Sequence, residues 1–453
     1  MQSAKRKETS LTMLTPAASK NFVPASRSEL ALFEVPMTEV GVKSAQYLEI
    51  TPKNSLTNDG PYTFQITPNP QMLQLSKNYL VLEFQILDSN GNPIKETSGT
   101  PPVETDYTGP INMIGKAFIK QMVVSLNGNH AFDSGPHYAY RAYFETELTH
   151  GWEAKHSFLE AAGYKEESPP VDDAAAKAFK ERAKPWRNGN FVQVVAPLHC
   201  DLFQQDKWLL PNMNVEITIL RNSDKFCLLN YAAGGDYSIN IRKMRLYVKA
   251  VEVQGSVSLG LERALMSHTA KYPMKRVRVV DCQISQGRTE IPENDLFRGE
   301  IPSRIIIGLI SSKAHRGNLK KSPFFFQPFG LNEIYITAQG VRYPNVPLRP
   351  DYANNNFART YIHFLDGLSY SQTDAGNCIS MEKYAKGWCL YCFNLTPTDD
   401  ETGNWTLSKK GSVNLNMSFA EPLTESVVAI IYSEYDSLLT IDSYRNCFND
   451  YKP

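Results

Sequence analysis

Hydrophobic and polar positions alternate along many short segments of the chain, which is the period of a β-strand with one buried face. In the first half these segments are 47–50, 62–67, 79–86, 122–126, 191–195, 215–220 and 244–253. Turn residues separate the segments, for example Asn127-Gly128, because Asn and Gly tolerate the positive φ that tight hairpins need. The pattern predicts an antiparallel β-sandwich.

A second series with the same period follows, at 277–280, 304–310, 333–337, 388–393, 413–419 and 427–435. A chain of 453 residues is too long for one ordinary core, since single cores stop growing near about 250 to 300 residues. We therefore predict two tandem all-β domains.

The predicted boundaries follow from these patterns and from two helix-compatible stretches. Residues 153–161 and 173–184 are rich in Ala, Lys, Glu and Leu, and Pro185 stops the second stretch. The prediction divides the chain into a flexible basic N-terminal arm (1–30), a first β-domain (31–255) with a helical insertion at about 150–185, an inter-domain linker or helix (256–270), a second β-domain (271–446) and a C-terminal tail (447–453).

An internal echo relates the two halves. Residues 119–128 (IKQMVVSLNG) share their order of apolar and polar positions with residues 331–340 (LNEIYITAQG). Residues 140–148 resemble residues 358–365 in the same way, through an Arg followed two positions later by Tyr. The echo favours a duplication, and the alternative is coincidence between two β-hairpins.

Composition narrows the function classes. Lys plus Arg and Asp plus Glu number 47 each, so no global field attracts a polyanion. The chain contains no apolar run of about 18 residues, and its start does not resemble a signal peptide, so we expect a soluble protein without a membrane span. The seven Cys are scattered and odd in number, which predicts reduced thiols.

Three groups of residues have the chemistry of a site, and each also has a structural explanation. Cys389 and Cys392 invite a metal or redox interpretation, but no second pair exists to complete a zinc site. His199-Cys200-Asp201 resembles part of a nucleophilic site, although neighbouring residues of a strand point to opposite faces. The third group, Glu290, Glu293 and Asp295, can be a hydrolytic or calcium-binding set or a solvated acidic turn. We favour the structural explanation for all three and predict no catalytic, cofactor-binding or metal-binding residue.

Basic and aromatic groups raise the question of nucleic acid. Lys5, Arg6 and Lys7 can form a nuclear-import signal, a DNA contact or a solvated tail. Other basic and aromatic groups can contact phosphates or bases, and they are also the residues expected on exposed strand faces and in cores: Lys275, Arg276, Arg278, Lys320, Lys321, Tyr138, Tyr140, Tyr143 and Phe324–Phe326.

One long segment carries a family resemblance. Residues 196–228 (APLHCDLFQQDKWLLPNMNVEITILRNSDKFCL) resemble the matching stretch of the major capsid proteins of Polinton (Maverick) elements and polinton-like viruses. Weaker likenesses lie at 126–128, 140–143, 269–273, 348–352 and 356–359, so the resemblance covers about residues 45–445.

The resemblance implies a double jelly roll, that is, two tandem eight-stranded antiparallel jelly rolls with a helical insertion in the first. It implies a structural protein and not an enzyme, which forms homotrimeric, pseudo-hexagonal capsomers of an icosahedral capsid around double-stranded DNA. The implied partners are further copies of the chain, a penton or minor capsid protein and packaged DNA. The implied location is the virion capsid, with assembly in the host nucleus.

The alternatives are a carbohydrate- or receptor-binding β-sandwich protein, a β-sandwich hydrolase using the acidic group at 290–295, and a host-retained capsid-like protein that no longer assembles.

Overall fold

The computed structural model describes residues 28–30, 32, 33, 35, 37–94, 108–173, 176–231, 235–291, 294–396, 405–407 and 409–450. Residues Met1–Gly41 and Val42–Pro453 are separate compact units. In the first unit, Ser28–Leu30 form a 3-10 turn. All strands and α-helices described below belong to the second unit.

The strands in the first half of the second unit are β1 (Val42–Ile50), β2 (Tyr62–Ile66), β3 (Met72–Leu87), β4 (Thr108–Pro110), β5 (Ile119–Leu126), β6 (Asn129–Asp133), β7 (Val192–Ala196), β8 (Val215–Arg221), β9 (Leu228–Asn230) and β10 (Ser238–Val253). Those in its second half are β11 (Ala270–Ile284), β12 (Asn294–Glu300), β13 (Arg304–Ser311), β14 (Leu331–Ala338), β15 (Val341–Leu348), β16 (Leu390–Asn394), β17 (Lys410–Phe419), β18 (Val427–Ile441) and β19 (Cys447–Asn449).

The helices are α1 (Ile114–Ala117), α2 (Tyr138–Glu147), α3 (Trp152–Lys155), α4 (Lys177–Ala183), α5 (Asp224–Cys227), α6 (Gly255–Ser267), α7 (Ser312–His315), α8 (Ala358–Gly367) and α9 (Met381–Ala385).

Eight of these first-half strands form two four-stranded antiparallel sheets, in the orders β1-β10-β3-β7 and β2-β8-β5-β6, and β4 and β9 pair with each other in a separate two-stranded sheet. The chain passes back and forth between these sheets, which is the Greek-key path of a jelly roll. The alternation in the sequence places the core: Val215, Ile217 and Ile219 of β8 are buried, while the residues between them are partly exposed. Residues 42–253 are called the first roll below.

The second-half strands repeat this order strand for strand, as β11-β18-β13-β16 and β12-β17-β14-β15, with β19 added beside β18. The two echoes in the sequence fall on equivalent elements, because β5 corresponds to β14, and α2 and α8 lie in the equivalent connections β6–β7 and β15–β16. The predicted all-β double jelly roll is confirmed. Residues 270–450 are called the second roll.

One glycine is required by close packing inside the second roll. A Cβ at Gly308, on β13, would lie 2.4 Å from a ring carbon of Phe326 and 2.6 Å from a methyl carbon of Leu390. Only a residue without a side chain therefore allows the ring of Phe326 to cover the sheet at this point.

Several predicted boundaries need correction. The first roll begins with strand β1 at Val42 and not at residue 31. The helices of the insertion begin at Tyr138 and not near residue 150, because the aromatic segment 138–147 is helical. Residues 447–449 are part of the predicted tail, yet they form strand β19 and pair with β18. Helix α6 (Gly255–Ser267) lies between the rolls and overlaps the stretch 256–270 that is predicted as a linker or helix.

Candidate functional site

The surface along which the two rolls contact each other, called the seam below, holds the segment His199-Cys200-Asp201 and several of the aromatic residues singled out in the sequence. Helix α2 of the first roll lies in it, with nearly every side chain buried. Tyr143 stacks on Phe324 of the second roll, with ring centroids 4.5 Å apart and planes 13° apart. Phe144 packs on Phe326 at 5.3 Å. Each such aromatic pair contributes about 0.5–1.5 kcal/mol beyond its buried area, so these aromatics serve packing.

A buried network of charges lies beside these rings. Arg141 of α2 pairs with Glu145 at 2.8 Å (Nε to Oε1) and with Asp201 at 2.7 Å (Nη1 to Oδ1). Asp201 Oδ1 also accepts a hydrogen bond from the backbone N–H of Val277 on β11, at 3.2 Å. The first roll is thus bonded to the edge strand of the second through a side chain that Arg141 holds in place.

The protonation states fit a structural role. Burial raises the pKa of Glu145, but the Arg141 charge and the His199 hydrogen bond outweigh it and bring the pKa to about 2. Burial lowers the pKa of His199 to about 4, against the attraction of Glu145. His199 Nδ1 lies 2.5 Å from Glu145 Oε2, so at neutral pH a neutral ring meets a charged carboxylate. Burial raises the pKa of Asp201, although Arg141 opposes this.

The segment His199-Cys200-Asp201 is therefore a structural element of the seam. The His199 ring is engaged by Glu145 and does not activate the neighbouring thiol. Burial raises the pKa of Cys200 well above the usual thiol range, which disfavours the reactive thiolate. The ion-pair partner of Asp201 on α2 was not predicted from the sequence.

A second buried ion pair joins the β6–β7 connection of the first roll to the β15–β16 connection of the second. Lys155 Nζ lies 3.0 Å from Glu147 Oε1 and donates to the backbone oxygen of Asn377 in the second roll, at 2.7 Å. The indole N–H of Trp388 also donates to Glu147, at 3.0 Å. Buried charges of this kind are tolerated only when paired and hydrogen-bonded, and here both conditions are met across the seam.

The C-terminal hairpin, formed by β18 and β19, makes a further set of contacts with the first roll. Arg445 lies in the turn before β19; its Nε donates to the Pro211 oxygen at 3.1 Å, and its own oxygen accepts from Asn127 Nδ2 at 3.0 Å. The Arg445 guanidinium also pairs with Glu262 of α6 at 2.5 Å. The C-terminal hairpin is therefore hydrogen-bonded to the first roll and ion-paired to the helix between the rolls.

Cys389 and Cys392 are both buried in the second roll as free thiols. The Cys389 Sγ contacts the hydroxyls of Tyr352 and Tyr391, at 2.9 and 3.2 Å. Burial raises the pKa of each thiol to about 12. Over the described part of the chain, no cluster of three or more His, Cys, Asp or Glu is arranged to hold a metal ion.

Of the acidic group, only Glu290 has its side chain among the described residues. Glu290 is exposed and its backbone bridges to Ser418. Glu293 lies outside the described residues, as do the side chain of Asp295 and the whole of Lys5, Arg6 and Lys7.

The other basic residues are mostly engaged within the second roll. Arg276 pairs with Glu300 and lies over the ring of Tyr435. Lys321 pairs with Glu425 at 3.1 Å. Lys320 is exposed.

Clefts of several hundred Å³ open along the seam. One, of about 600 Å³, is lined by His137, Tyr140 and His315 among others. A second, of about 660 Å³, runs along the edge of β11 from Arg276 to Asp281, and a third, of about 490 Å³, is lined by His199 and Trp405. They are the gaps left where two convex rolls meet.

Comparison with known proteins agrees with the fold. No family model matches the chain. It is similar to the Caenorhabditis elegans protein described as "Uncharacterized protein F54H12.2", with 29% identity over 420 residues that cover 91% of this chain and 98% of the nematode protein.

The similar solved structures come from viruses. A chain of the Sputnik virophage superposes with a TM-score of 0.60 at 13% identity and covers 97% of this chain and 94% of its own length. The mavirus major capsid protein gives 0.54 at 12% identity, covering 99% and 97%. The Faustovirus major capsid protein gives 0.56 at 8% identity, covering 91% and 92%.

The likeness extends over both rolls and defines the class of fold: this is a double jelly roll of the kind found in viral major capsid proteins. Among the described residues, none of the helices has the length and apolar character needed to span a membrane.

Proposed function

We propose that the protein is a structural major capsid protein and not an enzyme. The observation that carries the proposal is the end-to-end likeness to the mavirus major capsid protein, which covers 99% of this chain and includes both rolls and the connections between them. The seam supports it, because candidate catalytic residues such as His199 and Asp201 are engaged in buried pairs, and Asp201 also accepts a hydrogen bond from Val277 of the second roll.

The proposed assembly unit is a homotrimer that forms a pseudo-hexagonal capsomer. Two rolls of the same strand order, rigidly docked side by side, give each subunit two similar outer sides. Three subunits around a rotation axis then present six similar sides, which tile a plane and, with pentameric vertices, close an icosahedral shell. The function would reside in shape and buried area.

The finer assignment is a capsid protein of the Polinton (Maverick) type, whose shell encloses double-stranded DNA and uses a separate penton or minor capsid protein. The motif at 196–228 supports it. In this proposal the mature location is the virion capsid and assembly takes place in the host nucleus. Lys5, Arg6 and Lys7 would serve as a nuclear-import signal or a DNA contact.

A second candidate, favoured by one observation, is a capsid-like protein that an animal host retains and that no longer assembles. The relative that shares 29% identity and matches over 98% of its own length is a nematode protein. Both candidates keep the same fold, so only assembly separates them.

The test is the assembly state of the purified full chain. We expect light scattering to give three times the 51.1 kDa of one chain, and negative-stain microscopy to show hexagonal capsomers and closed particles. Trimers that never close into particles, with or without added DNA, would favour the retained host protein. A chain that stays monomeric at high concentration would overturn the proposal.

A further inference from the structure

Two histidines face one carboxylate across the seam. His137 Nε2, just before α2 in the first roll, lies 3.0 Å from Oδ1 of Asp281 on β11. His315 Nε2, at the end of α7 in the second roll, lies 3.8 Å from the other oxygen, Oδ2, of the same carboxylate. The two rings are 5.7 Å apart between centroids. Asp281 thus joins one histidine from each roll.

The second ring is fixed from its other side as well. His315 Nδ1 lies 3.2 Å from the hydroxyl of Tyr140 on α2, and the two rings stack at 5.7 Å. The side chains of His137 and His315 are 10% and 20% exposed, and that of Asp281 is 41% exposed, so the two rings are shielded from water while the carboxylate is partly solvated. The cluster is a built part of the seam.

This environment favours neutral rings. Burial lowers the pKa of His137, and Lys120 lowers it further, while Asp281 opposes both. Burial also lowers the pKa of His315, with His137 and Arg316 acting in the same direction and Asp281 against them.

The charged residues that surround the cluster are of both signs, so apart from Asp281 they offer no net negative charge to balance protons added to the two rings. The cleft on one side of the cluster is lined by two acidic residues, Asp59 and Asp224, and by three basic residues, Lys120, Arg221 and Arg316. Of these, Arg221 and Asp224 pair with each other. In the cleft on the other side, Asp201 is engaged by Arg141 and Arg276 by Glu300, beside Asp133 and Arg278. Asp281 is the carboxylate that lies within ion-pair distance of both rings, at 3.0 Å from His137 and 3.8 Å from His315.

We propose that His137, Asp281 and His315 form an acid-sensitive latch, which holds the two rolls together at neutral pH and loosens the seam when both rings carry a proton. One imidazolium can share its charge with Asp281. Two imidazolium ions at this separation repel each other in a poorly solvated place, and one carboxylate cannot neutralise both. The proposal does not depend on the capsid role.

The sign follows from linkage. Because the pKa of each histidine is lower in the docked seam than in solvent, the open state binds more protons on acidification. The docked state keeps its full stability above the unperturbed histidine pKa of about 6.5 and loses it as the pH falls below that value. At about pH 5.5, the equilibrium constant for opening of the seam should be up to about tenfold higher than at neutral pH for each histidine that stays fully unprotonated in the docked state.

The experiment is hydrogen exchange of the full chain at about pH 7.5 and about pH 5.5, corrected for intrinsic exchange rates and read at β11 and α2. Wild-type protein should show increased opening of both segments at the lower pH. The variants H137Q and H315Q keep a polar side chain but cannot form the doubly charged pair, so each should lose most of this acid response. His199 is present in every variant, and its own acid response therefore cancels in the comparison.

The matched control is H130Q, which removes an exposed histidine of the first roll and should respond to acid as the wild type does. The proposal fails if H315Q and H137Q retain the wild-type acid response, or if H130Q loses it to the same extent. Because each protein is compared with itself at two pH values, a general loss of stability in one variant does not produce the expected result.

Discussion

Replacing Arg141 with Met removes the guanidinium that holds two buried carboxylates in the seam. Arg141 and Asp201 are each 2% exposed in their side chains, and Glu145 is 9% exposed, so water cannot take over the lost contacts. Met fills a similar volume with apolar atoms. The change therefore isolates the loss of charge pairing from the creation of a cavity.

The expected cost is about 3–5 kcal/mol of unfolding free energy, since removing one partner of a buried ion pair leaves an uncompensated charge. The variant R141M/E145Q should recover part of this loss, because one of the stranded carboxylates then becomes a neutral amide. The interaction energy between the two changes should lie in the range of about 0.5–3 kcal/mol that is typical of contacting residues.

The assay is urea unfolding followed by tryptophan fluorescence and, separately, by circular dichroism. The matched control is R349M, because Arg349 is 72% exposed and pairs with Glu333 on the surface. Its loss should cost no more than about 1 kcal/mol. In the wild-type protein, the pKa of Glu145 is lowered from its ordinary 4.5 to about 2, so the stabilisation that charged Glu145 contributes to the folded state should be lost as the pH falls through this range. In R141M this loss of stability on acidification should be smaller.

The reasoning would be refuted if R141M cost no more than R349M, or if E145Q added its full cost on top of R141M. Either result would mean that the network is solvated or that its charges act independently.

Three further changes test other features of the fold. Gly308→Ala should destabilise the second roll by about 1–3 kcal/mol in thermal unfolding, because the new methyl group overlaps the ring of Phe326. Deleting residues 442–453 removes β19 and the contacts of Arg445, so β6 and α6 should exchange hydrogen faster while the first roll stays folded. Deleting residues 1–30 should leave trimers intact in light scattering but impair particle formation, nuclear entry or DNA packaging.

Each of these changes has an outcome that contradicts it. Gly260→Ala is the control for the first, since a methyl group there meets open space on α6, and an equal loss in both variants would argue against overlap. Unchanged exchange in the C-terminal deletion would show that the hairpin does not help to hold the seam. Loss of trimers on removal of residues 1–30 would place that segment within the assembly unit.

The strands could be predicted because alternation is a local signal. Segments such as 215–220 carry their burial pattern in consecutive residues, and both echoes marked elements that turned out to be topologically equivalent. Strands β4, β6, β9, β12, β15 and β19 were missed. Strands β4, β9 and β19 have only three residues each, and the pairings of β6, β12 and β15 have irregular registers.

Helix α2 could not be predicted for a physical reason. Its sequence YAYRAYFETE is buried on nearly all sides, so no polar face reveals a helical period, and its aromatic residues are equally common in strands. The role of Asp201 was hidden as well. Its partner Arg141 is 60 positions away, and such a pair exists only after the first roll has folded.

Helix α6 connects the rolls, yet among its residues only Leu265 is buried. The buried contacts between the rolls lie instead in the seam and in the C-terminal hairpin. The covalent connection thus works as a tether, whose contribution is the effective concentration at which one roll meets the other. If the chain is cut within α6, the two fragments should therefore stay bound to each other. The two rolls, made as separate polypeptides, should also bind each other and dock with the same geometry.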